Sequence, residues 1–330
     1  MREARHLLDL FELGPSEAIG LVDRALIVKQ EMARGRRPAL LAGRTLGLLF
    51  EKPSLRTRVS FEAAIAQLGG TAIFLPGKEV GLGVREPLCD FAHVLSQYID
   101  VLAVRSFAHQ TVAELAENAS IPVINALSDD AHPCQAMGDL LTIREELGRL
   151  QDVRLVFVGD GNNVARSLAV ASALVGMSFC LACPSNHSFP EDFRARFAAK
   201  FPNVALEVES DPKAAVAGAD VVYTDVWTSM GQEDETEARR RDFLPYQVNE
   251  ELMAHADRDA IVLHCLPAHR GEEVTGAVID GKRSRVVTQA GNRLHFQKAL
   301  LLWLLHVPTA GPTNGRTVPG PRHRRRSGHR

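Results

Sequence analysis

Pro53-Ser54-Leu55-Arg56-Thr57-Arg58 sets a serine, a threonine and two arginines between an apolar run and a helical pattern. Ser54 can cap that helix, and the free N–H groups of its first turn, the helix dipole and the arginines together make a phosphate site. Taken alone, the segment describes a capped surface helix equally well. Ala131-His132-Pro133-Cys134-Gln135 is a second helix start, with His132 and Gln135 on one face of the first turn. A neutral imidazole beside an amide suits a polarised carbonyl and an amine better than a metal, and a capping or core histidine is the competing reading.

Four later segments extend the set. Gly159-Asp160-Gly161-Asn162-Asn163 follows an apolar run where a dinucleotide fold would place G-x-G-x-x-G. Val164 stands where the third small residue belongs, and Cys183-Pro184-Ser185 stands where the ribose-binding acid is wanted. An asparagine there suits a small zwitterion instead. Asp225-Val226-Trp227-Thr228-Ser229-Met230-Gly231 offers an acid for an ammonium and a turn for a carboxylate. In His264-Cys265-Leu266-Pro267-Ala268-His269-Arg270-Gly271 the cysteine is either a nucleophile or a ligand-binding thiol. Gly291-Asn292-Arg293 puts an arginine at the start of the last helical pattern. A metal is not expected. Cys180 and Cys183 form the one C-x-x-C pair and lack a second ligand pair at suitable spacing.

The elements that must position these residues alternate strand and helix. Strands are expected at Thr45–Phe50, Thr71–Leu75, Val101–Val104 and Pro122–Asn125. A second series covers Val153–Val158, Ser178–Ala182, Leu206–Glu209, Val221–Thr224 and Ile261–Leu263. Helices are expected from Ser54 to Leu68 and over Leu88–Tyr98, Val112–Asn118, His132–Leu147, Asn163–Leu174, Pro190–Lys200, Asp211–Val216 and Asn292–Leu305. The fold class is α/β: two doubly wound parallel-sheet domains linked by two helices, with the active site in the cleft between them.

A length of 330 residues suits two domains of about 150 each, and 45% hydrophobic with 24% charged residues excludes a disordered or collagenous chain. The formal net charge of −2 includes six arginines after Thr309, so the body is acidic and general affinity for nucleic acid is not expected. Residues 308–330, rich in Pro, Gly and Arg, read as a disordered tail. No run approaches the ~18 apolar residues of a membrane helix. The first residues lack both a signal core and a presequence, and five scattered cysteines do not suggest a disulfide framework, so the expected home is the cytoplasm.

In this order the segments resemble the aspartate/ornithine carbamoyltransferase superfamily, from about His6 to His306. FEKPSLRTRVSFE, Arg105, HPCQ, GDGNN, DVWTSMGQE, HCLPAHRG and the late NR carry the resemblance. SMG and HCLP point within it to the ornithine branch. The resemblance implies transfer of a carbamoyl group from carbamoyl phosphate to the δ-amine of L-ornithine, with no cofactor, in a homotrimer or a multiple of trimers. Residues 1–140, joined by the C-terminal helix 292–307, would bind carbamoyl phosphate, and residues 141–291 ornithine. Ser54, Leu55, Arg56, Thr57 and Arg293 would hold the phosphate, with Arg105 bridging phosphate and carbonyl oxygen. His132 and Gln135 would contact the carbamoyl group, and Cys265 and the Leu266 carbonyl would surround the δ-amine and the carbamoyl NH2. Asn163, Asp225, Ser229 and Met230 would grip the α-amino and α-carboxylate groups. Arg105, His132, Cys265 and Thr57 are then the catalytic set.

Three positions depart from the family pattern. Leu55 replaces Thr, Gly291 replaces a Glu and so loosens the start of the last helix, and Gly81 replaces the Gln of a loop that reaches a neighbouring subunit. The competing readings are an NAD(P)-dependent dehydrogenase, a non-catalytic paralogue, and a carbamoyltransferase for putrescine or an N-acylated ornithine. Putrescine would leave the Ser229-Met230 grip idle, and an acyl group would clash at Asp225.

Overall fold

The computed structural model describes residues 4–228 and 233–309. Ser229 and Met230, and the tail from residue 310, lie outside the described residues. The chain begins with α1 (Pro15–Ala33), a helix that the alternation from Thr45 onward does not announce. Its signals are local. Pro15 occupies the first turn, Glu17 accepts from the Gly14 N–H at 3.0 Å, and Ala18, Leu21, Val22, Ala25 and Val28 recur at helical spacing on the buried face.

The first series runs β1 (Thr45–Phe50), α2 (Leu55–Gln67), β2 (Thr71–Pro76), α3 (Gly77–Val80), α4 (Leu88–Leu95), β3 (Val101–Arg105), α5 (His109–Asn118) and β4 (Val123–Leu127). Its strands pair in parallel in the order β2-β1-β3-β4. Helix α6 (Pro133–Leu147) crosses to the second series: β5 (Arg154–Val158), α7 (Asn163–Val175), β6 (Ser178–Ala182), α8 (Glu191–Lys200), β7 (Glu207–Glu209), α9 (Pro212–Val216), β8 (Val221–Thr224), α10 (Thr236–Phe243), α11 (Glu250–Met253), β9 (Ile261–His264) and α12 (Gly276–Ile279). These strands are also parallel, in the order β7-β6-β5-β8-β9. Sequences such as LGLLF and LVFV are buried throughout, as sheets covered on both faces require.

The last helix, α13 (Val286–Leu304), packs on α1, α2 and α6, back at the first sheet. It starts at Val286, not at Asn292, so Gly291 and Arg293 lie inside the helix and not at its start. The β-branched run Val286-Val287-Thr288 hides these first turns in the sequence. Nothing stands within 4 Å of a Cβ added at Gly291, so glycine there leaves no packing defect. Gly81 closes α3 with φ +66°, and a Cβ there would lie 2.5 Å from the Arg85 stem. Glycine suits that left-handed turn, which a glutamine would adopt only under strain.

Each sheet reverses its strand order once, between β1 and β3 and between β5 and β8. Ligands of such sheets bind at the carboxyl ends of the strands flanking the reversal. Residues 51–57 follow β1, Arg105 ends β3, residues 159–163 follow β5 and Asp225 follows β8. The topology therefore gathers the segments picked out by chemistry.

Candidate active site

Ser54, Leu55, Arg56, Thr57, Arg105, His132, Gln135, Asn163, Asp225, Cys265, Leu266 and Arg293 all line one cleft of about 740 Å3 between the sheets. Its first wall is cationic. Ser54 caps α2, its Oγ accepting from the Thr57 N–H at 3.4 Å. The Ser54 hydroxyl also donates to Thr57 Oγ1 at 3.0 Å, and Arg293 Nη2 donates to the same oxygen at 2.9 Å. That second bond fastens α13 to the first turn of α2. The Leu55 side chain is 75% exposed, so what it offers an anion is its backbone N–H at the helix start.

Burial pushes the Arg105 guanidinium down to about 10, and the charges of Arg293 and Arg56 push the same way. Burial also lowers Arg293. The Nε atoms of both are buried without a partner. Crowded, desolvated cations with spare donors are costly in a resting protein and are matched by an anion that brings its own acceptors.

His132 is the N-cap of α6, and its N–H donates to Ser167 Oγ of α7 at 2.8 Å. Burial, then Arg293 and Arg105, push its imidazole well below 6.5. The ring is therefore neutral at pH 7, and its Nδ1 has no partner. In NMR spectra the His132 Cε1 proton should not shift between pH 8 and pH 6; a titration centred near 6.5 would refute the neutral imidazole.

The opposite wall comes from the second sheet. Asp225 Oδ1 accepts from Cys265 Sγ at 2.9 Å and from the Val226 N–H at 2.8 Å, while Oδ2 accepts from Asn162 Nδ2 at 3.1 Å. Burial, followed by the Asp225 charge, holds the Cys265 thiol well above 9, so it is a protonated donor and not a nucleophilic thiolate at pH 7. Leu266 adopts φ +58°, a left-handed conformation strained for a branched residue. His264 braces it: Nδ1 accepts from the Leu266 N–H at 2.8 Å, and Nε2 donates to Glu273 at 3.0 Å.

Two donor groups come within metal-binding reach among the described residues, Asp225-His264-Cys265 and His269-Glu272-Glu273. The first is engaged in the bonds just described. In the second, Glu273 accepts from His264, Glu272 lies 3.3 Å from Arg240, and the His269 ring lies 3.8 Å from Glu272. Cys180 and Cys183 are buried, and burial pushes their thiols up to about 11 and about 12. In the GDGNN turn a Cβ on Gly161 would meet the Ser188–Phe189 backbone at 2.8 Å. That glycine makes room for the chain itself and not for a pyrophosphate.

Several contributors escaped the sequence reading. Of the adjacent asparagines, Asn162 caps α7 and bonds Asp225, whereas Asn163 Nδ2 donates to the Ser128 carbonyl at 2.6 Å. A helix N-cap position was the signal for Asn162. Ser167 bonds the His132 N–H 35 residues away and Gln289 bonds Asp139 150 residues away, so neither carries a local signal. Asp139, four residues after Gln135 on one helix face, could have been found by its spacing, and Glu273 lies nine residues after His264.

Two family descriptions match the chain. "Aspartate/ornithine carbamoyltransferase, carbamoyl-P binding domain" covers residues 5–145, and "Aspartate/ornithine carbamoyltransferase, Asp/Orn binding domain" covers residues 151–304. An ornithine carbamoyltransferase of Anoxybacillus flavithermus is 49% identical over 306 residues, 92% of this chain and 97% of that protein. One from Acidothermus cellulolyticus is 49% identical over 317 residues, 96% of this chain and 99% of the other. The solved ornithine carbamoyltransferase from Pyrococcus furiosus superposes with a TM-score of 0.89 at 45% identity, covering 92% of this chain and 98% of that one.

Proposed function

The chain belongs to the aspartate/ornithine carbamoyltransferase family, and on that premise we propose how its cleft works as an ornithine carbamoyltransferase. The enzyme transfers the carbamoyl group of carbamoyl phosphate to the δ-amine of L-ornithine, releasing L-citrulline and phosphate. One observation carries the assignment of roles: a cationic wall from the first sheet faces Asp225 and its donors from the second across a single cleft.

In this reading the first-turn N–H groups of α2, with Ser54, Arg56, Thr57 and Arg293, hold the phosphate. Arg105 spans phosphate and carbonyl oxygen. The neutral δ-amine attacks the carbamoyl carbon through its lone pair, and negative charge gathers on the carbonyl oxygen. Arg105, Thr57 and His132 stabilise that charge. The carbon–oxygen bond to phosphate then breaks, and phosphate leaves with the electron pair and accepts the amine proton. The reaction calls for no cofactor or covalent enzyme intermediate. Because an amine of this kind has a reference pKa of about 10.4, activity should rise with pH. Asp225 and Asn163, with Ser229 and Met230 from outside the described residues, take the α-amino and α-carboxylate groups. Residues 1–140 with the last helix, α13, form the carbamoyl phosphate unit, and the intervening residues from 141 to the start of α13 the ornithine unit.

A citrulline assay run with ornithine, putrescine and N-acetylornithine tests the substrate. Ornithine alone should be carbamoylated; comparable turnover of either other amine overturns the choice. A homotrimer built on the first sheet's domain is supported by exposed apolar side chains there, Val59, Ile73, Val84, Val94, Tyr98 and Phe107 among them. Sedimentation of the protein as a monomer would rule it out. Five free cysteines support a reducing cytoplasmic setting, and the product places the enzyme in arginine metabolism.

A further inference from the structure

We propose that Asp139 is a positioning residue that turns the Gln135 amide so that its oxygen, and not its nitrogen, faces the carbamoyl group. The inference rests on the carbamoyl phosphate reading above. Asp139 lies one turn beyond Gln135 on α6 and is fully buried. Its Oδ1 accepts from Gln135 Nε2 at 2.8 Å and from Gln289 Nε2, on α13, at 2.7 Å. Gln289 carries the chain of bonds onward. Its Oε1 accepts from the His264 N–H at 2.9 Å, and its Nε2 lies 3.1 Å from the Tyr223 hydroxyl oxygen. One network thus joins both connecting helices to the ends of β8 and β9, which deliver Asp225 and Cys265.

An amide has a donor end and an acceptor end, and its neighbours decide which way each points. The carboxylate oxygen Oδ1 accepts, so it captures the Gln135 nitrogen and leaves the Gln135 oxygen turned away from it. That Oε1 is buried without a partner in a residue that lines the cleft. The substrate supplies what it lacks. The carbamoyl carbonyl oxygen is served by the cationic wall, while the carbamoyl NH2 has hydrogens to donate and needs an acceptor. Burial pushes Asp139 up to about 7, and its Oδ2 has no partner. A proton on Oδ2 leaves Oδ1 free to accept, so both bonds survive either protonation state.

Acetyl phosphate is the discriminating probe, since a methyl group replaces the NH2 and the phosphate is unchanged. The wild-type protein should bind carbamoyl phosphate at least about tenfold more tightly than acetyl phosphate, since the Gln135 oxygen supplies one buried hydrogen bond and the Leu266 carbonyl adds to it. In Asp139→Ala the carbamoyl phosphate Kd should rise about tenfold while that for acetyl phosphate stays near the wild-type value, so the preference falls by that factor. Asp139→Asn keeps an acceptor oxygen and should restore it. Equal weakening of both ligands, or an intact preference in Asp139→Ala, overturns the proposal. Should the alanine variant not fold, Asp139→Ser, too short to reach Gln135, carries the same expectations. A wild-type protein that binds both ligands equally refutes the Asp139 role alone. One that binds neither refutes the carbamoyl phosphate reading, and the role of Asp139 with it.

Discussion

Arg105→Met lowers kcat for citrulline formation about 10²–10³-fold and leaves the melting temperature unchanged or higher. Arg105 ends β3 inside the cleft, largely desolvated, with an Nε that no protein group satisfies. The resting protein therefore pays twice for this guanidinium, through desolvation and through repulsion from Arg293 and Arg56. Methionine keeps most of the volume and removes both costs, so stability does not fall. The loss appears only when charge develops on the carbonyl oxygen and a preorganised donor is missing. A variant whose activity declines only in step with its unfolding would show that Arg105 serves the fold and not the transition state.

Asp225→Asn raises the ornithine KM roughly 30- to several-thousand-fold while carbamoyl phosphate affinity stays near normal. Ornithine has two amines, and the enzyme must keep the α-amine charged while the δ-amine reacts. Asp225 is 8% exposed and held by Cys265, Val226 and Asn162, so its charge is fixed before substrate arrives. Asparagine preserves the shape and one acceptor but leaves the buried ammonium unpaired, and it sets its own NH2 against that of Asn162. Putrescine, with no α-carboxylate to fix its second amine, should respond little. An ordinary ornithine KM in this variant would make Asp225 a structural bridge between Cys265 and Asn162.

The strands were legible because parallel sheets demand continuous apolar runs, and Thr45–Phe50 or Val221–Thr224 could hardly be anything else. The site was legible for a related reason. Chemistry-bearing residues directly after such runs, as in GDGNN after Val158, must stand at strand ends, where these folds bind ligands. What escaped belonged to tertiary structure. Gln289 meets Asp139 across most of a domain of intervening chain, and no spacing rule links them. The choice between Asn162 and Asn163 turned on one residue of helix register. The start of α13 was hidden because Val286, Val287 and Thr288 are β-branched, poor helix formers, and only Val286 of the three is buried, Val287 being 81% exposed.

The placement of α13 also fixes the order in which the protein can be completed on the ribosome. The first sheet is fully synthesised once Leu127 has emerged, yet α1, α2 and α6 wait for a covering helix that ends at Leu304. At about 5–20 residues per second, that delay lasts on the order of ten seconds or more. Throughout it the nascent amino-terminal half holds an uncovered apolar face and a phosphate wall without Arg293. The two halves are thus drawn as separate layers but mature as one unit, closed by the last helix to be made.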